Sequence, residues 1–236
     1  MRRPQAILFD LGNTILREVA FNYQAWGKKI SEFATLPEGV DLTDVYASGA
    51  GLHEEILGHH HRKVIEFPLQ SSMRLLHDRF GITSALSDNQ LELEFWRTTA
   101  ELVPETGIAD VLSELRSAGL HLGVLSNSMF SGDVLRWELE RHGLASHFRF
   151  IMSSADYGFR KPHPSIFATA VGKLGVPPDD VWFVGNSIEN DVAGATHAGL
   201  TPVWYNRGGA RSFGNPKERT EIHHWNEFVE LLPGSE

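Results

Sequence analysis

The feature that most constrains the fold is a regular alternation of amphipathic segments and short apolar runs from about residue 104 onward. A segment with helical spacing, such as IADVLSELRSAG, is followed by a run such as LHLGVLSN, which is largely apolar on both faces. Strands of this kind are buried on both faces, which is typical of parallel sheets covered by helices. The apolar run at residues 5–10 supplies one more strand. The sequence therefore predicts an α/β fold with a doubly wound parallel sheet.

Residues 17 to about 100 lack this alternation and predict a helical region. Apolar residues at helical spacing predict one helix around Trp26 and a second around Met73. A third is predicted from Asp88 towards Leu102. Glycines and prolines separate these segments, as expected between helices.

The position of this helical region predicts a cap domain inserted into the α/β core. We predict that residues 1–16 and 101–236 form the core domain and that residues 17–100 form the cap. The hinges are expected near Ile15–Glu18 and near Leu102–Glu105. We expect closure of this cap to expel water from the site, and the cap residues to select the substrate.

Charge and composition argue against several classes of partner. The formal net charge is −9 with a pI of about 5.7, and the basic residues are scattered, so we expect neither nucleic acid nor a membrane as partner. The absence of cysteine excludes disulfides, thiolate metal sites and a cysteine nucleophile. The apolar run after MRRP covers only Ala6–Phe9, too short for a secretory signal or a membrane span. We therefore expect a cytoplasmic protein.

Polar side chains follow several of the apolar runs, at the sheet edge where ligands of open α/β folds bind. The residues at these strand ends, including one glycine with its backbone groups, are Asp10, Gly12, Thr14, Ser126, Asn127, Lys161, Asn186 and Asp191. A lysine, hydroxyl groups and backbone N–H groups suit a phosphoryl group, and carboxylate and carbonyl oxygens suit Mg²⁺. An aspartate in such a site can attack phosphorus. The strand ends therefore predict phosphoryl chemistry.

Four motifs in order carry a resemblance to a known family. They are ILFDLGNTIL, GVLSNS, GFRKPHPSIF and VGNSIENDVAGATHAG, and in them the chain resembles the haloacid dehalogenase superfamily of hydrolases. The resemblance covers about residues 5–16 and 104–206. It implies a Rossmann-like core with a helical cap. It also implies a Mg²⁺-dependent phosphatase that acts on a small phosphorylated metabolite through an aspartyl phosphate. We expect the protein to be a monomer or a homodimer.

The resemblance also implies a role for each residue at the strand ends. Asp10 is expected to be the nucleophile, and Lys161 to neutralise charge around it. The expected metal ligands are Asp10, the backbone carbonyl of Gly12, Asn186 and Asp191. The residues expected to hold the phosphoryl group are Thr14, Ser126, Asn127 and Lys161.

Two positions depart from the usual pattern of phosphatases in this superfamily. Gly12 stands where those enzymes carry a second aspartate that protonates the leaving group, and loss of such a group costs about 10²- to 10⁴-fold in rate. Asn186 stands where they carry a metal-binding aspartate, and an amide contributes no charge. Glu18 or another cap residue is a candidate replacement for the missing acid.

Two alternative functions follow from these departures. A domain with weak catalysis that binds a phosphorylated ligand or a protein partner would tolerate both substitutions. A metal-independent 2-haloacid dehalogenase also uses an aspartate nucleophile and needs no acid at position 12. Such dehalogenases usually carry an aromatic residue there and Ser-Ser-Asn in the last motif, which GNSIEND does not match.

Two features of the cap region complete the prediction. The run HHHRK at 59–63 suggests metal binding, but adjacent histidines do not share a helical face, so we predict a solvated turn. Trp26 lies in the helix nearest the first motif and is the tryptophan we expect to contact substrate.

Overall fold

The computed structural model of the chain describes residues 2–59, 64–207, 209 and 220–232. The strands within these residues are β1 (Ala6–Phe9), β2 (Leu16–Phe21), β3 (Ala34–Thr35), β4 (Thr83–Ser84), β5 (Ala100–Pro104), β6 (His121–Ser126), β7 (Phe150–Ser153), β8 (Val181–Gly185), β9 (Thr201–Tyr205) and β10 (Thr220–Ile222). The α-helices are α1 (Tyr23–Lys29), α2 (Leu42–His59), α3 (Leu69–Phe80), α4 (Asp88–Thr99), α5 (Ile108–Ser117), α6 (Gly132–Arg141), α7 (Ser154–Tyr157), α8 (Pro164–Leu174), α9 (Ala193–His197) and α10 (Trp225–Glu230).

A six-stranded parallel sheet in the order β10-β9-β8-β1-β6-β7 forms the centre of the fold. From β1 the chain passes to β6 and β7 on one side, then crosses back to β8, β9 and β10 on the other. This reversal beside β1 is the topological switch point at which open α/β sheets bind ligands. The predicted doubly wound α/β fold is confirmed.

Strand β1 shows why its four consecutive apolar residues are needed. Ile7 and Phe9 belong to one apolar cluster, and Ala6 and Leu8 belong to a second cluster. Neighbouring residues of a strand point to opposite faces, so the two clusters lie on opposite faces of the sheet. All four side chains are fully buried, as expected for a central parallel strand covered by helices on both sides.

Most of the region between β1 and α5 is helical, as predicted, but its ends are not. β2 and β5 pair as a two-stranded antiparallel ribbon, in which Leu16 lies opposite Pro104 and Phe21 opposite Ala100. The predicted helix from Asp88 towards Leu102 therefore ends at Thr99, and β5 begins at the next residue. The prediction was wrong here because the partner strand is distant in sequence. The division into cap and core domains remains a prediction.

The expectations about a membrane span and about the histidine run at 59–63 can be compared with the structure only for the described residues. None of the helices in the described ranges has the length and apolar character needed to cross a membrane. Within the histidine run, His59 ends α2, and residues 60–63 fall outside the described residues, as does the turn predicted there.

Candidate active site

Strand β1 brings Asp10 to the carboxyl edge of the sheet. Its backbone N–H donates to the carbonyl of Val184 in β8 at 2.8 Å, so pairing with β8 extends to this residue. The chain then turns through Asn13, whose φ of 55° lies in the left-handed region that asparagine tolerates. The turn places the fully buried Thr14 beside Asp10, and Thr14 Oγ1 donates to Asp10 Oδ2 at 3.0 Å.

Lys161 joins Asp10 to a second acid. Its Nζ lies 2.7 Å from Asp10 Oδ1 and 2.7 Å from Asp191 Oδ1, and its side chain is 1% exposed. Burial lowers the pKa of Lys161, but the two carboxylates more than offset this effect and raise it above the ordinary value. The lysine is therefore charged at neutral pH. We call these three residues the Asp10–Lys161–Asp191 cluster.

Asn127 fixes the backbone that carries Lys161. Asn127 Oδ1 accepts from the Lys161 N–H at 2.7 Å, and Asn127 Nδ2 donates to the Lys161 carbonyl at 2.9 Å. Both ends of the amide are used in this pairing, while its predicted contact with a phosphoryl group remains a prediction. Ser126, the residue before Asn127, is buried at the end of β6. It therefore lies at the carboxyl edge of the sheet, as predicted.

Asp191 sits against the end of β8, in the single π-helical turn Ile188–Val192. Its Oδ2 accepts from the Ser187 N–H at 2.9 Å. A Cβ at Gly185 would lie 2.5 Å from the Asp191 carboxyl carbon, so only glycine allows this approach. Burial raises the pKa of Asp191 to about 6, since the attraction of Lys161 is partly opposed by the negative charge of Asp10.

The charges of the cluster fit a divalent cation. Two buried carboxylates face one ammonium group, which leaves one excess negative charge when all three are ionised. Mg²⁺ is commonly bound by one or two carboxylates together with substrate phosphate, so this donor set fits Mg²⁺. The described residues contain no group of three or more histidine, aspartate or glutamate side chains suited to a metal. A cation here would therefore depend on other oxygen donors as well.

Asn186 differs from the other predicted metal ligands. It is exposed at the end of β8, and its backbone carbonyl accepts a hydrogen bond from Trp204 Nε1 at 2.9 Å. The contacts that join the Asp10–Lys161–Asp191 cluster do not include its side chain.

A cavity of about 480 Å³ lies at this edge of the sheet. We call it the strand-end cavity; its walls include Gly12, Ser126, Asn127, Glu18, Glu66 and Arg160. Gly12 is exposed, its φ lies outside the left-handed region, and a Cβ there would meet nothing within 4 Å. Local packing therefore does not require glycine at position 12.

The sequence did not reveal a partly buried ion pair in the wall of this cavity. The Arg160 guanidinium pairs with the carboxylate of Glu66, which also accepts from Ser154 Oγ at 2.6 Å. Backbone hydrogen bonds from Glu66 N–H to Gly158 and from Arg160 N–H to Val64 join the same two segments, at 2.9 and 2.8 Å. Glu66 and Arg160 lie far apart in the chain, so no local sequence pattern predicts their pairing.

A family profile matches most of the chain. The profile of the haloacid dehalogenase-like hydrolases matches residues 4–199. The chain belongs to this family. The match spans all three members of the Asp10–Lys161–Asp191 cluster, and the resemblance drawn from the four motifs is confirmed.

Curated relatives carry phosphatase names. The chain is similar to the phosphoserine phosphatase of Thermus thermophilus, with 39% identity over 97 residues, covering 41% of this chain and 38% of that protein. It is also similar to the glyceraldehyde 3-phosphate phosphatase of Methanopyrus kandleri, with 34% identity over 110 residues, covering 46% of each. The chain thus spans less than half the length of these relatives.

Solved structures resemble the whole chain. A HAD phosphatase from Thermococcus onnurineus matches with a TM-score of 0.64 and 25% identity, over 98% of both chains. A 2-haloacid dehalogenase from Pseudomonas syringae matches with a TM-score of 0.65 and 22% identity, over 97% of this chain and 98% of that one. At that identity the second likeness shows the fold alone.

Proposed function

We propose that the protein is a Mg²⁺-dependent phosphatase that hydrolyses a small phosphorylated metabolite with Asp10 as its nucleophile. The observation that carries this proposal is the Asp10–Lys161–Asp191 cluster at the ligand edge of the sheet. One oxygen of Asp10 is held by Lys161 and the other by Thr14, so the carboxylate has a fixed orientation. The phosphatase names of the relatives support the choice of a phosphate ester as substrate.

The proposed reaction has two displacements at phosphorus. A carboxylate oxygen of Asp10 forms a bond to phosphorus, and the bond from phosphorus to the leaving oxygen breaks, its electron pair staying on that oxygen, which takes up a proton. Water then attacks the aspartyl phosphate and loses a proton. The bond between Asp10 and phosphorus breaks, which releases inorganic phosphate and restores the carboxylate.

The residues around Asp10 supply charge and position for both displacements. Lys161 offsets the negative charge that gathers around the nucleophile, and Thr14 keeps the carboxylate oriented. Asn127 acts on Lys161 by holding its backbone. Asp10, Asp191, the Gly12 carbonyl and Asn186 would hold Mg²⁺. Bound there, the ion would supply positive charge to the phosphoryl oxygens.

Gly12 has no side chain that could donate a proton to the leaving group, so another residue must supply it. Glu18 lies in the wall of the strand-end cavity and carries a carboxyl group that can serve as the acid. We expect Glu18→Gln to slow the hydrolysis of alkyl phosphates, whose leaving oxygen needs a proton. It should affect acetyl phosphate much less, because its leaving group is a stable carboxylate.

The decisive experiment compares the parent protein with Asp10→Asn on a panel of phosphate esters, with and without Mg²⁺. The proposal predicts phosphate release that needs both Asp10 and the metal. Asp110→Asn is the matched control, since Asp110 is an exposed acid in α5, and it should retain parent activity. Equal turnover by Asp10→Asn and the parent would refute the proposal.

A gain-of-function variant tests the role of position 12. A side chain fits at Gly12 without a clash, so Gly12→Asp should fold and restore the usual acid. We expect its turnover of alkyl phosphates to rise by about 10²-fold or more, with little change for acetyl phosphate. An equal effect on both substrates would contradict the assignment of a leaving-group acid to this position.

The same assays separate the alternative functions. Release of halide from 2-haloacids without metal would favour a dehalogenase. Stabilisation by a phosphorylated ligand without turnover would favour a binding domain. The cytoplasmic location, the monomeric or homodimeric state and the closure of a cap formed by residues 17–100 remain predictions.

A further inference from the structure

A second cavity lies among the helices that follow β2. Its volume is about 550 Å³, within the range of roughly 300 to 1,000 Å³ that is typical of small-molecule sites. We call it the apolar chamber, because most of its wall is formed by side chains such as Trp26, Ile30, Val45, Leu69, Met73 and Phe95. These residues come from α1, α2, α3, α4 and the turn after α1.

The apolar chamber borders the strand-end cavity. Tyr23, Ser72 and Met129 line both cavities, so the two spaces share part of their walls. The strand-end cavity is also lined by Leu11 and Gly12, the two residues that follow the proposed nucleophile. A ligand with its phosphoryl group at the end of β1 would therefore direct the rest of its structure towards the shared wall and the chamber. The leaving group is the part of a phosphate ester that would occupy it.

The chamber suits an uncharged ligand. Among the described residues that line it, none is lysine, arginine, aspartate or glutamate. His77 is the histidine among these described lining residues, and burial lowers its pKa, an effect larger than the opposing effects of Asp88 and Asp78. A carboxylate or a second phosphate would lose its hydration there without meeting a cation among the described lining residues, which is costly. Aromatic and methionine side chains instead offer contacts for rings and alkyl chains.

We propose that the apolar chamber binds the leaving group of the substrate, and that this group is an uncharged alkyl or aromatic alcohol. This inference rests on the proposed phosphatase function and specifies the substrate class as phosphate monoesters of apolar alcohols. It distinguishes this chain from its relatives that are named for phosphoserine or glyceraldehyde 3-phosphate, which are polar compounds. The predicted contact of Trp26 with substrate would then be a contact with the apolar end.

A chain-length series tests the proposal by binding. The probes are n-alkylphosphonates from methyl to heptyl, whose carbon–phosphorus bond resists hydrolysis, measured by titration calorimetry. Burial of each methylene should raise affinity about fourfold until the chamber is filled. Phosphonoacetate, which carries a carboxylate, should bind no better than methylphosphonate. Affinity that does not change with chain length would overturn the proposal.

Two glycines of α2 provide a matched pair of variants. Gly49 lines the chamber, and a Cβ there would lie 3.2 Å from Leu76 Cδ1, the flexible end of a side chain. Gly51 is exposed, with nothing within 4 Å of a Cβ. Gly49→Leu should end the gain in affinity at a shorter chain, whereas Gly51→Leu should reproduce the parent series. Val45→Ala, in the same wall, should extend the gain to longer chains. Identical series for Gly49→Leu, Val45→Ala and the parent would refute the assignment.

Parallel kinetics keep this proposal distinguishable from the proposed function. Values of kcat/KM for n-alkyl phosphates should rise with chain length as the phosphonate affinities do. Binding that improves with chain length, without release of phosphate from any ester, would support the chamber and refute the phosphatase. Asp10-dependent hydrolysis of acetyl phosphate with a flat alkyl series would support the phosphatase and refute the chamber.

Discussion

Lys161→Met would remove the only cation of the Asp10–Lys161–Asp191 cluster. The two carboxylates, which are 7% and 2% exposed, would then face each other without a counter-charge, and the cluster charge would change from −1 to −2. Removal of one partner from a buried ion pair costs about 3–5 kcal/mol, and Lys161 takes part in two such pairs. We expect the free energy of unfolding to fall by about 4 kcal/mol, a large share of the roughly 5–15 kcal/mol typical of a domain.

The loss should depend on pH and on the second acid. Burial raises the pKa of Asp191 to about 6 even with the lysine present. An acid with a raised pKa in the folded state destabilises the fold above that pKa, and the penalty disappears as pH falls towards the unfolded value. The effect of Lys161→Met should therefore shrink between about pH 7.5 and pH 5. Adding Asp191→Asn restores a cluster charge of −1 and should recover about 2 kcal/mol.

Urea unfolding followed by tryptophan fluorescence, in the absence of divalent ions, measures these differences. Lys173→Met is the matched control, because Lys173 is exposed on α8 and its ammonium lies over the Phe150 ring at 5.8 Å. Loss of such an exposed contact should change the free energy of unfolding by less than about 1 kcal/mol. A loss below about 1 kcal/mol for Lys161→Met, or an equal loss at both pH values, would refute the electrostatic reasoning.

Three further predictions concern stability. Without divalent ions the parent should lose stability as pH rises from about 4 to 6, because the folded state holds the proton of Asp191 more tightly than the unfolded state does. Thermal unfolding of Asp191→Asn should lack this part of the loss. Glu66→Gln should weaken the pairing with Arg160 and speed hydrogen exchange at the Arg160 amide about tenfold or more, whereas unchanged protection would contradict this. Gly194→Ala should cost about 1–3 kcal/mol, because its Cβ would lie 2.6 Å from a core phenylalanine ring, while Gly172→Ala meets open space in α8 and should stabilise by up to about 1 kcal/mol; melting temperatures that shift in the same direction would refute this.

The parallel sheet and the edge that carries the polar residues could be predicted because both depend on local sequence. An apolar run that ends in a polar residue marks the carboxyl end of a buried strand, and β1 with Asp10 and β6 with Ser126 follow this rule. Gly185 and Asp191 both belong to the last motif, VGNSIENDVAGATHAG, and the structure places them in direct contact.

The features that sequence reasoning missed depend on residues far apart in the chain. The β2–β5 ribbon joins segments on either side of the helical region, and neither segment has a partner within its own neighbourhood. Helical spacing around Trp26 and Met73 predicted helices, but it could not distinguish helices packed around a filled core from helices that surround a cavity. The pairing of one lysine with two acids likewise depends on how three strand ends and loops meet.

The pairing of Phe21 with Ala100 has a consequence for how such a protein can change over evolutionary time. The chain enters and leaves the helical region through the paired strands β2 and β5, so the two ends of this region lie side by side. We predict that lengthening, shortening or exchanging this region leaves the strand order of the six-stranded sheet and the Asp10–Lys161–Asp191 cluster intact. Under the proposed function, mutations that change the specificity for the alcohol can therefore accumulate in this region, while the residues proposed for the chemistry lie elsewhere in the sequence.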